Sequence, residues 1–446
     1  MAQARFSHDL DALKTIAADA LAHAARKGAS ACEAETSDGY GQTVTVRKGE
    51  VETIEYNRDK SLGVTVYVGR RKGYASTGDF AGRAIRDTVE AALTIARFTA
   101  EDEAAGLPDP EDLARNPADL DLFHPWNPPI DEAIEIARAC EAAAFRLDRR
   151  VVNSEGASVS CQQWHFALGN SHGFMEGFPT SRHTLSCAVI AAEDGQMQRD
   201  DWYSSQRSSE DLPLPEAIGD YAGRRALARL RSRKIGTAQA PVLFEAPVAN
   251  DLIATFVSAV SGGNLYRKAS FLLDQLGREI FSPLVTLVER PHLPRAQASS
   301  WYDDEGVATR DRDVVKDGVL RGYFLGSYSA RKLGMKTTGS AGGNHNLILQ
   351  GGELDLPGLI RKMGRGLLVT ELIGFGVNLV TGDYSRGAAG YWVEGGEICH
   401  PVEEVTIAGN LRDMFRSISA IGSDALTRGS RTTGSILVEG MTIAGN

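Results

Sequence analysis

The stretch "TGDYSRGAAGYWVEGGEICHP", residues 381–401, packs five glycines, three aromatics, several charges and an adjacent Cys399–His400 pair into a short span. "GGEICHPVEE" reads as a turn followed by a strand, and glycines inside strands let backbones turn and pack closely. Neighbouring strand residues point to opposite faces, so Cys399 and His400 cannot grip one ion without distortion. Tyr384, Tyr391 and Trp392 offer contact area that suits a core or an interface equally.

Around this stretch the chain is glycine-dense from about residue 237 onward. Short strands recur as "PVLFEA", "GLLVTEL", "GVNLVTG" and "EEVTIAG", with few long helices between them. The spacing predicts a mainly antiparallel barrel- or sandwich-like domain over 237–446. One helix is expected at about 247–260, with Pro247 in its first turn. Its apolar residues Val248, Leu252, Phe256 and Val260 form one stripe and Ile253 and Val257 lie beside it, the pattern of a helix buried on all sides.

Residues 1–235 have a different texture. Leu10, Leu13, Ile16, Ala20 and Ala24 space a helix over 8–27, with Ser7 able to cap it and Gly28 able to end it. "QTVTVRKGEVETIEYN" and "SLGVTVYVGRRKGYAST" predict an antiparallel meander turning at "RKGEVE" and "GRRKGY". A helix follows at about 80–99, capped by Asp79. Residues 106–130 carry six prolines and read as a loop. Then the plan recurs: a helix over about 130–147, strands across 151–208 and a helix from Pro215. This is an α+β chain of two domains, 1–235 and 237–446. The two halves of the first are similar in plan without evident sequence identity.

Length and composition agree. A chain of 446 residues exceeds one ordinary core. Its 42% hydrophobic and 24% charged content is globular, and a net charge of −10 argues against nucleic acid or an anionic membrane as partner. No run of 18 apolar residues occurs. The N-terminus lacks an apolar signal core. Five scattered cysteines without CxxC suit a reducing cytoplasm.

Sites of local chemistry are few. Cys161, His165, His183 and Cys187 have a symmetrical C-x3-H…H-x3-C spacing that would suit structural zinc. On a strand, however, residues four apart lie about 13 Å from each other, too far for one ion. There is no phosphate loop and no HExxH. "TTGSAGGNHNLIL" (337–349) holds Ser340 and His345, a weak basis for a hydrolase. Gly342 and Gly343 beside His345 and Asn346 suit close backbone approach with polar side chains at hand.

Three long stretches go further: "SGGNLYRKASFLLDQLGREIFSPLVTLVE", "DDEGVATRDRDVVKDGVLRGYFLGSYSARKLGMKTTGSAGGNHN" and "GVNLVTGDYSRGAAGYWVEGGEICHPVEEVTIAGNLRDMFRSISAIGSD". They resemble the TldD/PmbA family of peptidases, and "GDYSRGAAGYWVEGGE" and "TIAGNLRDMF" resemble its PmbA (TldE) branch. The likeness is dense over 237–446 and fainter over 1–235. It implies a cytoplasmic pair in which a TldD-like subunit binds zinc through a His-Glu-x-x-x-His helix and a distant Cys, the Glu serving as general base. In this sequence the corresponding helix is "DLIATFVSAVSGG". The His positions fall on Ala254 and Ala259, the Glu position on Thr255 and the Cys position near Thr433. None can bind zinc or act as a base.

The resemblance therefore implies the non-zinc subunit of a heteromeric metallopeptidase, with no metal and no catalytic residue in this chain. Zinc is expected in the partner, and the chain alone is expected to be inactive. It would close the chamber and hold unfolded or modified small peptides, with Gly342, Gly343, His345, Asn346, Tyr384 and Arg386 as candidate peptide contacts. A homodimer is the fallback assembly when the partner is absent. Residues 381–401 then read as scaffold, or as a partner and peptide surface. The competing readings are a stand-alone peptide-binding or assembly protein, and a self-sufficient hydrolase built on Ser340 and His345.

Overall fold

The computed structural model describes residues 6–445. The chain divides into two compact units. The first runs to Leu227 and includes 294–296 and 302–308. The second holds Ala228–Leu293, Gln297–Trp301 and the chain from Thr309 onward.

The first unit is one antiparallel sheet with helices. Its elements are α1 (Leu10–Arg26), β1 (Ala31–Arg47), β2 (Glu50–Val68), β3 (Arg71–Thr77), α2 (Gly82–Phe98), α3 (Ile130–Leu147), β4 (Val151–Asn170), β5 (Met175–Glu193), β6 (Gln196–Gln206) and α4 (Pro215–Ala228). The strand order is β3-β2-β1-β4-β5-β6. Each half is thus a helix, a three-strand meander and a helix, and the halves join through their first strands. The β1–β2 turn needs positive φ at Lys48 (53°) and Gly49 (77°). Its two exposed N–H groups donate to the carboxylate of buried Glu141 on α3, each at 2.8 Å. The expected cap residues shift. Asp9, not Ser7, caps α1, its side chain accepting from Ala12 N at 2.8 Å. Asp79 accepts from Ala81 N at 2.9 Å, and Ala81 holds the cap position of α2. Asp9 lies where an orphan N–H of the first turn can reach it, whereas Asp79 bonds the cap residue itself.

β2 is two strands in one. Residues 62–68 pair on both sides, with β1 and with β3. Residues 50–61 pair with β1 alone and are exposed throughout, which leaves an open sheet edge.

The second unit contains β7 (Ala238–Phe244), α5 (Ala246–Ala259), β8 (Leu287–Glu289), β9 (Arg312–Lys316), β10 (Val319–Leu320), β11 (Leu347–Leu349), β12 (Gly366–Ile373), β13 (Asp383–Glu394), β14 (Glu397–Asn410), β15 (Ile418–Ile421), β16 (Leu426–Arg428), β17 (Arg431–Thr433) and β18 (Ile436–Ala444), besides short helices. Strands β14-β13-β12-β7-β18 form a ring. The register Thr406↔Ala444, Ile407↔Ile443 and Ala408↔Thr442 closes it. β12 and β7 run parallel; the other pairs of the ring are antiparallel. A second sheet has the order β10-β9-β8-β11-β17-β16. Val242, Phe244, Ile253, Phe256, Leu367, Val369, Ile407 and Val438 belong to one buried core. The α+β class and the barrel are as the sequence predicts.

Residues 381–401 form β13, a two-glycine turn and the start of β14. Gly395 and Gly396 adopt φ of +61° and +78°. A Cβ at Gly390 would stand 1.9 Å from Leu368 O on β12, so only glycine permits this strand approach. Tyr384 and Trp392 are buried in the core, and Tyr391 is half-buried against Leu359 and Val393. The aromatics are core residues. "GVNLVTG" is a turn instead of the expected strand. The Asn378 side chain accepts from Val380 N at 2.9 Å, and its carbonyl accepts from Gly382 N at 2.8 Å. An Asn side chain that bonds the backbone two residues on competes with a strand ladder.

Candidate functional site: the open face of α5

Pro247 starts α5 where its missing N–H costs nothing. Leu252, Ile253, Phe256 and Ala259 are buried, which anchors one side of the helix. The other side is not covered, contrary to the sequence expectation. Asp251 is exposed, and Ala254, Thr255 and Ser258 are half-buried. Both hydroxyls on this stripe turn back onto the helix: Thr255 Oγ1 donates to Asp251 O at 2.9 Å and Ser258 Oγ to Ala254 O at 3.0 Å. Sequence periodicity could not separate this stripe from the core because Ala and Thr are tolerated in both.

The four positions where the resemblance places zinc ligands and base differ in exposure. Ala254 and Thr255 face outward, and Ala259 is fully buried. Thr433, also fully buried, donates to the carbonyl of Ala246 in the first turn of α5 at 3.1 Å. The only carboxylate on the stripe, Asp251, is engaged by Arg386. Among the described residues no group of three or more His, Cys, Asp or Glu is placed to hold a metal ion. This donor set does not fit zinc.

Cations occupy the surroundings instead. Arg431 on β17 donates through Nε to Asn250 Oδ1 at 2.9 Å, and Asn250 Nδ2 returns a bond to Arg431 O at 3.2 Å. Burial lowers the Arg431 pKa, and the charge of Asp251 opposes that shift. Arg386 on β13 reaches Asp251 Oδ2 through Nη1 at 3.5 Å. Tyr384 lies two residues before Arg386, hence on the same face of β13. Burial raises its phenol pKa, and the neighbouring Arg386 guanidinium opposes the rise. Asn250, Asp251 and Arg431 were not singled out from sequence. The available signal was their placement within one turn of Ala254 and two residues from Thr433.

The glycine loop lies elsewhere in the second unit. Gly342 and Gly343 adopt φ of +86° and +124°. His345 N–H donates to Glu289 Oε1 at 2.7 Å, and its ring Nδ1 lies 3.3 Å from the same oxygen. Arg312 Nε donates to Glu289 Oε2 at 2.5 Å, while its Nη2 donates to Ser340 Oγ at 3.3 Å. Burial of Glu289 raises its pKa, but His345 and Arg312 outweigh that and hold it below the usual carboxylate range. Ser340 and His345 are therefore members of an ion-pair network around Glu289. Asn346 Nδ2 donates to Arg290 O at 2.9 Å and Ser299 Oγ at 2.7 Å. Leu347, which follows the loop, is in register with Arg431 and donates to Ser430 O at 2.8 Å. β17 thus links the loop to α5, whereas Tyr384 and Arg386 reach α5 from the barrel.

The Cys161 group sits in the first unit on continuous strands. Cys161 stands opposite His183, but His165 pairs with Pro179 and Cys187 with Ala157. His183 Nε2 is 2.7 Å from His124 O, and His165 stacks on Phe6 at 3.8 Å between ring centroids. Cys399 and His400 are adjacent on β14, with Cys399 exposed.

Three family models match in sequence order. They are PmbA/TldA metallopeptidase domain 1 over residues 32–96, the central domain over 123–230 and the C-terminal domain over 237–445. The chain is 50% identical over 413 residues to a metalloprotease PmbA of Escherichia coli O157:H7, covering 93% of this chain and 92% of that one. The chain belongs to the PmbA/TldD metallopeptidase family. Within that family it is 24% identical to a metalloprotease TldD homologue of Haemophilus influenzae, over 84% of this chain and 81% of the relative. A solved structure described as a candidate modulator of DNA gyrase, from Bacteroides thetaiotaomicron, superposes with a TM-score of 0.92 at 29% identity. It covers 97% of this chain and 99% of its own. PmbA/TldD membership thus rests on the whole length, while the α5 face is where this chain lacks metal-binding side chains.

Proposed function

We propose that this chain is the zinc-free subunit of a PmbA/TldD-type metallopeptidase. A TldD-like partner carries zinc and cuts the peptide; this chain closes the chamber and holds the substrate. The observation that carries this reading is the α5 face. The zinc-ligand and base positions implied by the resemblance hold Ala254, Thr255 and Ala259 inside an otherwise intact fold. The nearness to a PmbA at 50% identity and the distance from a TldD homologue at 24% support two distinct subunits. The substrate is a small unfolded or modified peptide in extended form, held by main-chain pairing at a sheet edge, and the open edge of β2 supports that mode.

A cytoplasmic pair goes with this reading. All five cysteines are free thiols, and among the described residues no helix is long and apolar enough to cross a membrane.

The test is co-expression with an HExxxH-bearing paralogue from the same genome. The two are expected to co-elute, bury more than about 2,000 Å² as obligate pairs do, and cleave peptides only together. Separate elution at micromolar concentration would favour a stand-alone binding protein. Cleavage by the purified chain without partner or metal would establish a self-sufficient hydrolase.

A further inference from the structure

The α5 face carries two buried polar atoms without a well-formed hydrogen bond. Arg386 Nε and Tyr384 Oη are both enclosed, and the two side chains lie close enough to interact with each other but leave donor capacity unused. Tyr384 is 2% exposed, and the Arg386 side chain is 13% exposed. Buried polar groups are nearly always satisfied, so an orphaned donor pair at the base of an open face marks a place where a ligand atom is missing. The charge balance agrees. Arg386 brings a cation to Asp251, the one acid on the stripe, and the half-buried Arg431 guanidinium, held on Asn250, feels the charge of the same carboxylate. Asp251 is loosely held: its side chain is 55% exposed and 3.5 Å from Arg386 Nη1. Ala254 and Thr255 put no charge beside it, and the Thr255 hydroxyl is turned onto the helix.

We propose that Arg386 and Tyr384, with Arg431 alongside, form a carboxylate-binding site. An incoming carboxylate displaces Asp251 from Arg386. It accepts a two-point hydrogen bond from the guanidinium through Nε and one Nη, and a further bond from the Tyr384 hydroxyl. A planar fork of N–H donors matches a carboxylate in this way. Two sources share this chemistry, the C-terminus of a peptide and an Asp or Glu side chain. The choice of a peptide as carrier rests on the proposed function; the carboxylate preference rests on the geometry alone.

Calorimetric titration of the purified full chain tests it with three acetylated alanine-rich pentapeptides. One has a free C-terminus, one is amidated, and one is amidated with a central Glu. The free acid is expected to bind at least about tenfold more tightly than the plain amide, the scale of a charge-assisted contact. Arg386→Gln should abolish that preference, and Tyr384→Phe, which keeps the ring and so the packing, should reduce it several-fold. Asp251→Asn is the distinguishing variant: it removes the competing acid and should tighten acid binding. Binding of the Glu-containing amide as tightly as the acid assigns the site to side-chain carboxylates; binding like the plain amide assigns it to C-termini. Equal affinity for all three peptides overturns the proposal, as does a preference that survives Arg386→Gln. Weaker acid binding in Asp251→Asn overturns it too. Co-elution with the paralogue is measured separately, so a chain that pairs but shows no acid preference sinks this inference alone.

Discussion

The β4–β5 hairpin and the α5 face fail as metal sites for opposite reasons. The hairpin has the right side chains, Cys161, His165, His183 and Cys187, on strands that keep them spread along the sheet. The helix has an open stripe at the place implied for zinc, but it carries alanine and threonine. Metal binding needs ligand identity and convergence together. The hairpin shows ligand identity without convergence, and the helix lacks ligand identity altogether. A Cys/His count overrates the hairpin, and a fold match overrates the helix.

The sharpest way to break this comparison is to give the helix its missing side chains. The triple variant Ala254→His, Thr255→Glu and Ala259→His is expected to bind no stoichiometric zinc, as elemental analysis would show. It should lose roughly 3 kcal/mol or more in urea unfolding, because position 259 lies in the core and an imidazole there has no partner. Stoichiometric zinc uptake with retained stability would mean that α5 is a metal site short only of its ligands. The hairpin is tested in reverse by Cys161→Ser. Burying a hydroxyl in place of a thiol should cost about 1–2 kcal/mol, with metal content unchanged. One zinc per chain in the wild type, lost in this variant, would show that the strands do converge.

Acidity separates the two regions further. Burial lowers the pKa of His165 and of His183 from 6.5. Both are therefore stabilising as neutral rings above that value. Below it the unfolded chain takes up protons that the native hairpin resists, so stability is lost as pH falls from about 6.5 through the lower folded values. The double variant His165→Gln, His183→Gln should flatten that acid limb by roughly 1–2 kcal/mol, measured by urea melts across pH 4–7. An unchanged slope would place the acid sensitivity elsewhere. The smallest effect belongs to Ala254→His alone. On the half-buried stripe the ring can reach water, so the cost should stay below about 1 kcal/mol. A loss as large as that of Ala259→His alone would show that the stripe is covered.

Much of the architecture was legible because it is local. Strict alternation and turn chemistry gave the meanders, including the turn at Lys48 and Gly49. Helical spacing and Pro247 gave α5 to within a residue. The same locality explains the misses. "GVNLVTG" alternates like a strand, yet the Asn378 side chain closes a turn within it. The cap of α1 moved from Ser7 to Asp9 because both can cap and only the backbone geometry chooses. At the site, Tyr384 and Arg386 were named from sequence, but Asn250, Asp251 and Arg431 were not. Arg431 meets Asn250 across 181 residues of chain, beyond the reach of any periodicity.

By itself, then, the sequence determined the strands and helices, the two styles of domain, and the absence of imidazole or carboxylate at Ala254, Thr255 and Ala259, since these follow from side-chain identity and short-range spacing. Only the tertiary structure decided that β14 and β18 close a barrel, that one face of α5 stays open and that Asp251 meets Arg386. Those features depend on pairings between distant segments, Thr406 with Ala444 and Asp251 with Arg386, whose free energy is realised only once the intervening chain has folded.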